Sequence, residues 1–151
     1  MNLEQTSKVS ELLRITRVEV APETFFLVSL LHTDWLKLLE NPELSPRMTA
    51  PFMIFRDKWE LTLLLDEVDF GTIRHAVREA KTEGNFRLLS FDIGLNFDTV
   101  GFLAEVARIL AEAEIPIVAL SAFSRDHLLI KQQDLSKALK FLGRYVAESC
   151  G

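Results

Sequence analysis

The chain has 151 residues, enough for one domain or for two small domains that share a core. Its net charge of −5 and pI near 5.2 argue against the basic face that nucleic-acid binding requires. No apolar run is long enough to cross a bilayer, and the polar amino terminus lacks the apolar core of a signal peptide. The single cysteine, Cys150, excludes an intramolecular disulfide. We therefore expect a cytoplasmic protein whose partners include neither nucleic acid nor a membrane.

The overall balance of the sequence is slightly apolar for its size. Hydrophobic residues make up 48% of the chain, and the mean hydropathy is +0.15. Apolar surface covered between subunits would explain this balance, and large buried sheets explain it nearly as well. We expect a homodimer.

The first half of the sequence begins with strand and helix patterns. Apolar residues partly alternate over 12–20, which predicts a strand that ends before Pro22. Aromatic and β-branched residues over 24–31 predict a second strand. A short helix over 32–40 and a proline-containing loop over 41–51 follow.

The rest of the first half is predicted to be a hairpin and a helix. The hairpin strands cover 52–55 and 60–65. The helix is predicted over 70–82 and stops near Gly84, which suits the left-handed residue after a helix. Its apolar residues recur at helical spacing: Ile73, Ala76, Val77 and Ala80. Ahead of all these elements, the polar residues 1–11 could form a short helix or a tether.

The second half repeats this order of elements with short connections. A strand over 86–95 leads into a turn over 96–102 and an amphipathic helix. Strands over 115–124 and 127–131 come next, and Asp134 is placed to cap a last helix. The order β-α-β-β-α is most of a ferredoxin-like unit.

A fourth strand is missing from the second half. The sequence ends directly after the last predicted helix, so we expect the strand over 12–20 to pair with the second-half sheet. The predicted fold class is α+β, with two ferredoxin-like units in tandem. The first unit covers 1–85 and the second covers 86–151, with the N-terminal strand crossing over to complete the second.

The turn over 96–102 is a candidate binding element. It could expose backbone N–H groups at the start of a helix and so attract a carboxylate. Asp98 is well placed to cap this helix, and Gly101 allows a ligand or a facing strand to approach closely. The alternative is a capped helix with Gly101 packed against the sheet.

The strand end near Asp126 is the second candidate element. Asp126 could accept hydrogen bonds from a ligand ammonium or guanidinium group, while Ser121 and Ser124 supply hydroxyls. Alternatively, Asp126 ends a strand and forms a hairpin turn with Arg125. Arg125 could also pair with a ligand carboxylate or with Asp98, which would occlude the site.

Catalytic and metal-binding patterns are absent from the sequence. The acidic set Asp66, Glu67 and Asp69 has no EF-hand spacing around it, and a solvated turn is the favoured interpretation. The three histidines are far apart, and neither a phosphate-binding loop nor a nucleophile elbow is found. Cys150 is a poor candidate for a nucleophile, because the sequence places no base beside it. We expect no metal, no cofactor and no enzymatic activity.

Several segments resemble the small tandem ACT-domain proteins. These proteins are similar to the regulatory ACT pairs of aspartate kinases and to the animal cytosolic arginine sensors. The resemblance is good over 86–142 and looser over 24–65. The segments that carry it are 86–92, 97–104, 115–117, 121–127 and 131–135.

The resemblance implies two ACT-like units of order βαββαβ, which assemble by side-by-side sheet or helix packing. It implies a non-catalytic, allosteric regulatory protein that binds a small amino-acid-like ligand at an interface between ACT-like units and acts on a regulated protein partner. The implied ligand-binding residues are Asp98, Thr99, Val100, Gly101, Phe102, Ser121, Ala122, Phe123, Ser124 and Asp126. Ala122, where relatives commonly carry Thr, and the unusual Arg125 keep a second interpretation open: a ligand-free structural or protein-interaction module of the same fold.

Overall fold

The computed structural model describes residues 2–150. By their backbone contacts these residues form two compact units: an inserted unit, Glu23–Phe86, and a split unit made of residues 2–22 and 87–150. The helices and strands in chain order are α1 (Leu3–Ile15), β1 (Arg17–Val20), β2 (Phe25–Leu30), α2 (His32–Glu40), β3 (Met53–Arg56), β4 (Leu61–Asp66), α3 (Glu67–Ile73), β5 (Lys81–Asp92), α4 (Phe102–Glu112), β6 (Val118–Ser121), β7 (Asp126–Lys131), α5 (Leu135–Leu142) and β8 (Glu148–Cys150).

The inserted unit is an antiparallel sheet that packs against two helices. The strand order is β3-β4-β2-β5, and the residues of β5 that pair with β2 are 81–86. Alternate residues of β2 and β4 point to one face, where side chains from α2 and α3 join them. This core is formed by Val28, Leu30, Leu38, Leu61, Leu63, Leu65, Ile73 and Val77.

The split unit has its own sheet and its own core. Its strand order is β6-β7-β5-β1-β8, and the residues of β5 that pair with β1 are 89–92. Helices α1, α4 and α5 supply apolar side chains to one core with the strands. The largest fully buried members of this core are Leu13, Phe91, Leu89, Ile109, Leu110, Leu128, Ile130 and Leu142.

The strand predicted over 12–20 is wrong in its first part, because residues 12–15 are helical and β1 is only Arg17–Val20. Helix α1 begins with a capping box, in which Asn2 Oδ1 accepts from the Gln5 N–H at 2.8 Å and Gln5 Oε1 accepts from the Asn2 N–H at 3.2 Å. Val9 and Leu13, four residues apart on one helical face, are both buried. The burial of this helical face therefore outweighs the weak, strand-like alternation of apolar residues over 12–20.

Strand β1 pairs with the second half of the sequence, as expected. It runs antiparallel to β5, from Arg17 opposite Asp92 to Val20 opposite Leu89. The expectation that the sequence ends directly after the last helix is wrong, since β8 follows α5 and pairs with β1 in parallel. Strand β1 pairs with the part of β5 that belongs to the split unit. Residues 2–22 therefore group with 87–150 rather than with the inserted unit.

The helix predicted over 70–82 is also wrong at its end. Helix α3 stops at Ile73, a series of turns follows, and β5 begins at Lys81. Ile73 and Val77, whose spacing predicted a longer helix, are both buried. The segment that follows Ile73 and contains Val77 is made of turns and not of helix. Residues 81–83 pair with β2 instead, so long-range strand pairing overrides the local helical pattern.

Gly84 lies within β5 and does not end a helix; the left-handed residue is its neighbour Asn85, with φ of 59°. A Cβ at Gly84 would lie 2.5 Å from Phe26 Cε1, and the Phe26 ring is stacked on Phe70 with centroids 4.3 Å apart. The glycine is therefore needed for close packing of the Phe26 ring.

Replacing Gly84 with alanine should lower the free energy of unfolding by about 1–3 kcal/mol, because the stacked Phe26 ring must move. Gly71 is the matched control. It lies inside α3, and a Cβ added there would meet nothing within 4 Å, so Gly71→Ala should raise stability by up to about 1 kcal/mol through helix propensity. Urea unfolding of both variants measures the difference, and changes of the same sign would contradict this packing.

Two of the three acidic residues near the start of α3, Asp66 and Asp69, do not lie in a solvated turn, contrary to expectation, whereas Glu67 is exposed. Asp66 and Asp69 are 3% and 4% exposed. Arg47 Nη2 donates to Asp66 Oδ2 at 2.7 Å, and Arg47 Nε donates to Asp69 Oδ1 at 2.8 Å. Asp66 Oδ1 also accepts from the Asp69 N–H at 2.8 Å and so caps α3. Both carboxylates therefore hold the loop that carries Arg47.

Candidate functional site

The turn between β5 and α4 is fixed by backbone hydrogen bonds. The Leu95 N–H donates to the Ser124 carbonyl at 2.9 Å, which ties the turn to the connection between β6 and β7. The Thr99 N–H donates to the Asn96 carbonyl at 3.0 Å. Gly101 has φ of 90°, a left-handed conformation that glycine adopts without a Cβ penalty. The turn is thus an ordered segment that leads directly into α4.

The start of α4 is open to an acceptor. Its N-cap residue is Gly101, not Asp98 as predicted, and among the described residues no side chain makes a capping hydrogen bond there. The first intrahelical bond runs from the Glu105 N–H to the Gly101 carbonyl at 3.0 Å. The N–H groups of Phe102, Leu103 and Ala104 precede that bond and have no partner within the helix. They form the positive end of the α4 dipole.

A cavity of about 270 Å³ lies at this helix start. One wall is the turn and the first residues of α4, and the other is the connection between β6 and β7. Seven of the ten predicted binding residues line it: Thr99, Gly101, Phe102, Ser121, Ala122, Ser124 and Asp126. The lining residues that the sequence-based prediction left out are Leu95, Asn96, Phe97, Leu103, Ala104 and Arg125. Three of these, Phe97, Leu103 and Arg125, are immediate chain neighbours of predicted residues.

Three predicted residues lie elsewhere. Asp98 and Val100 line a different cavity, of about 290 Å³, together with residues of α1. Phe123 does not line the first cavity; its ring is 84% exposed and makes an edge-to-face pair with Phe97, with centroids 4.9 Å apart. Phe97 is 81% exposed. The two rings form an exposed apolar patch beside the cavity.

The polar groups of the cavity are partly paired with one another. Ser121 Oγ donates to Asp126 Oδ1 at 2.6 Å. Arg125 Nε donates to Asp92 Oδ1 at 3.0 Å, and Arg125 Nη1 donates to Ser124 Oγ at 3.3 Å. Arg125 therefore pairs with Asp92 and not with Asp98. The Asp126 carboxylate and the start of α4 belong to opposite walls of one cavity, an arrangement that suits a ligand carrying both an ammonium group and a carboxylate.

His127 follows Asp126 on β7 and is half-buried. Its Nδ1 lies 2.8 Å from Ser90 Oγ. Desolvation by burial lowers the pKa of His127 below its usual value; Asp126 opposes this shift, and Arg125 adds to it. The folded protein thus favours the neutral imidazole.

Protonation of His127 should destabilise the fold. Because its pKa is lower when folded than when unfolded, its contribution to stability is present above the unfolded pKa near 6.5 and is lost as the pH falls below that value. Urea unfolding from about pH 7.5 to about pH 5 should show a smaller loss of stability in His127→Gln than in the wild type. His32→Gln, at an exposed position, is the control. An unchanged pH dependence in His127→Gln would contradict the assignment.

Two further features of the described residues bear on function. No helix in residues 2–150 is both long and apolar enough to cross a membrane. Within the same residues, no three His, Cys, Asp or Glu side chains are grouped so as to hold a metal ion. The side chain of Cys150, considered above as a nucleophile, lies outside the described part of the structure.

Comparison with known proteins agrees with this fold. Residues 81–144 match the ACT domain, and this region holds both walls of the cavity. No curated protein matches the sequence. The resemblance to the regulatory ACT pairs of aspartate kinases is confirmed.

Solved structures of similar fold cover nearly the whole chain. VC0802 from Vibrio cholerae, a protein of unknown function and possible transport protein, has a TM-score of 0.69 at 21% identity, and the match covers 93% of this chain and 98% of VC0802. A putative C-terminal regulatory domain of aspartate kinase from Porphyromonas gingivalis W83 has a TM-score of 0.60 at 19% identity, with 87% and 97% covered. Atu0741 from Agrobacterium tumefaciens has a TM-score of 0.65 at 18% identity, with 89% and 91% covered. These likenesses establish an α+β, ACT-like fold.

Proposed function

We propose that this chain is a non-catalytic, cytoplasmic regulatory protein built from two ferredoxin-like, ACT-like units in tandem, and that it binds an amino acid in the cavity at the start of α4. The observation that carries the proposal is that an uncapped helix start and Asp126 line the same cavity. The match of residues 81–144 to the ACT domain supports it.

Each end of an amino acid has a complementary group in this cavity. The ligand carboxylate accepts from the N–H groups of Phe102, Leu103 and Ala104, where the helix dipole favours an anion by about 0.3–1 kcal/mol. The ligand ammonium donates to Asp126, whose carboxylate oxygens can accept more bonds than the one from Ser121. The Thr99 and Ser124 hydroxyls supply further polar contacts.

The size of the cavity fits a small ligand. Its volume of about 270 Å³ lies just below the range of about 300–1,000 Å³ that drug-sized ligands occupy. An amino acid has about ten non-hydrogen atoms, and for such a ligand we expect affinities between micromolar and millimolar.

The proposed regulation works through assembly. The exposed Phe97 and Phe123 rings beside the cavity are suited to being covered by a second copy of the chain, which gives the homodimer expected from the apolar balance. A ligand held between ACT-like units of such a dimer favours the arrangement that binds it more tightly. The arrangement that the bound ligand favours then determines how the protein acts on a regulated protein partner.

The second candidate function is a ligand-free interaction module of the same fold. Two observations favour it: Arg125 and Asp126 already have partners in Asp92 and Ser121, and the exposed Phe97–Phe123 patch could contact another protein directly. In that case the cavity polar groups only stabilise the connection between β6 and β7.

A thermal-shift screen against the common amino acids distinguishes the two functions. Ligand at 100 times its dissociation constant adds about 2.7 kcal/mol of stability, so an amino acid that binds should raise the melting temperature in a concentration-dependent way. Asp126→Ala should weaken binding by about 10- to 100-fold, because a charge-assisted hydrogen bond is lost. Asp98→Ala is the matched control and should bind normally, because Asp98 lies in the turn before α4 but lines a different cavity. No shift with any amino acid would favour the interaction module.

A further inference from the structure

We propose that the inserted unit contains a second ligand site, which takes a small uncharged aromatic molecule. A cavity of about 270 Å³ lies within this unit, between α2, β3, β4 and the segment after α2. Ten of its eleven lining residues are apolar, and the exception is Ser45. The chemistry of this cavity is unlike that of the polar cavity at the start of α4.

The floor of this cavity is rigid core. Leu38, Leu63, Leu65 and Ile73 line it, and each is 8% exposed or less. Such side chains are held in place by close packing on their other sides. Trp35 forms part of the wall and presents a large apolar face to a ligand.

The roof of the cavity is pinned in place. It consists of the 3₁₀ turn Pro42–Leu44 together with Ser45 and Pro46. The next residue, Arg47, makes three hydrogen bonds to the buried carboxylates of Asp66, which caps α3, and of Asp69 within α3: Nη2 to Asp66 at 2.7 Å, Nε to Asp69 at 2.8 Å, and its N–H to Asp69 at 3.2 Å. Prolines and this clamp prevent the roof from collapsing onto the floor, so the space is preformed.

The lining determines the class of ligand. Among the described residues, no charged side chain lines the cavity, so a zwitterion or an ion would lose its hydration without compensation. Apolar cavities of about 150 Å³ accept benzene. A space of about 270 Å³ therefore accommodates one aromatic ring with a short substituent, and the Ser45 hydroxyl can pair with at most a small polar group on it.

Toluene is the probe for this site, and methyl NMR of the full chain is the measurement. Toluene should cause saturable shifts of the Leu38, Leu63, Leu65 and Ile73 methyl groups, while the methyl groups of Leu128 in the split unit stay unchanged. Benzoate, which has the same ring with a charge, should cause no such shifts. An absence of saturable shifts at these methyl groups up to the solubility of toluene, or equal shifts with benzoate, would overturn the proposal.

Two variants sharpen the test. Leu44→Trp fills the cavity from the roof and should weaken toluene binding at least tenfold, whereas Leu36→Trp, exposed on α2 and outside the lining, should not. A readout that needs no cavity variant is the emission of Trp35 in a Trp59→Phe background, since Trp59 is 82% exposed and does not line the cavity. Unchanged Trp35 emission, or a self-associated protein in which toluene does not bind because a second copy seals the cavity, would overturn the proposal.

Discussion

Replacing Leu13 with alanine should lower the free energy of unfolding by about 2–5 kcal/mol. Leu13 is 2% exposed and belongs to the core of the split unit, although it lies in the N-terminal helix α1. Truncation leaves a cavity in this core, and the other buried side chains cannot fully close around it. Urea unfolding monitored by circular dichroism measures the change.

Leu3→Ala is the matched control for this prediction. Leu3 starts the same helix but is 90% exposed, so its truncation should change stability by less than about 0.5 kcal/mol. Equally small effects at Leu13 and Leu3 would contradict the placement of α1 in the core of the split unit.

Replacing Asp66 with alanine should cost about 2–4 kcal/mol. This one carboxylate caps α3 through the Asp69 N–H and accepts a charge-assisted bond from Arg47, and both interactions are lost together. Asp66 is 3% exposed, so water does not readily replace these bonds. Thermal and urea unfolding measure the loss.

Glu67→Ala separates the role of Asp66 from general charge near the start of α3. Glu67 is exposed in the same first helical turn, and its truncation should cost about 0.5 kcal/mol or less. If Asp66→Ala were as mild as Glu67→Ala, the Arg47 clamp would be unimportant for stability, and the roof of the apolar cavity would have to be held in another way.

Elements with strong local patterns could be predicted from the sequence. The helix expected over 32–40 is α2, His32–Glu40, and the strand expected over 24–31 contains β2, Phe25–Leu30. Dense apolar and aromatic patterns such as these are the strongest local signals of secondary structure. The helix predicted over 70–82 is wrong at its end, because its last residues pair with β2 as part of β5.

Most of the residues that the sequence nominates for ligand binding do line one cavity, but the hydrogen-bond partners of their side chains could not be predicted. The sequence places a glycine-containing turn before a helix and serines near a strand end, and these do line one cavity. The partner of Arg125 is Asp92, 33 residues away, and nothing local distinguishes it from Asp98. Likewise, Arg47 and Asp66 are 19 residues apart, so the sequence predicts a solvated turn where the structure has a buried ion pair.

Amino-acid binding at the start of α4 can be measured by amide NMR of the full chain during titration with the common amino acids. We expect one amino acid to cause saturable shifts of the amides of residues 101–104 and of Ser121, Ser124 and Asp126. These shifts should persist in Asp98→Ala and weaken strongly in Asp126→Ala. Titrations in which no amino acid perturbs these amides, or in which the only perturbed amides lie in the inserted unit, would contradict amino-acid binding at the start of α4.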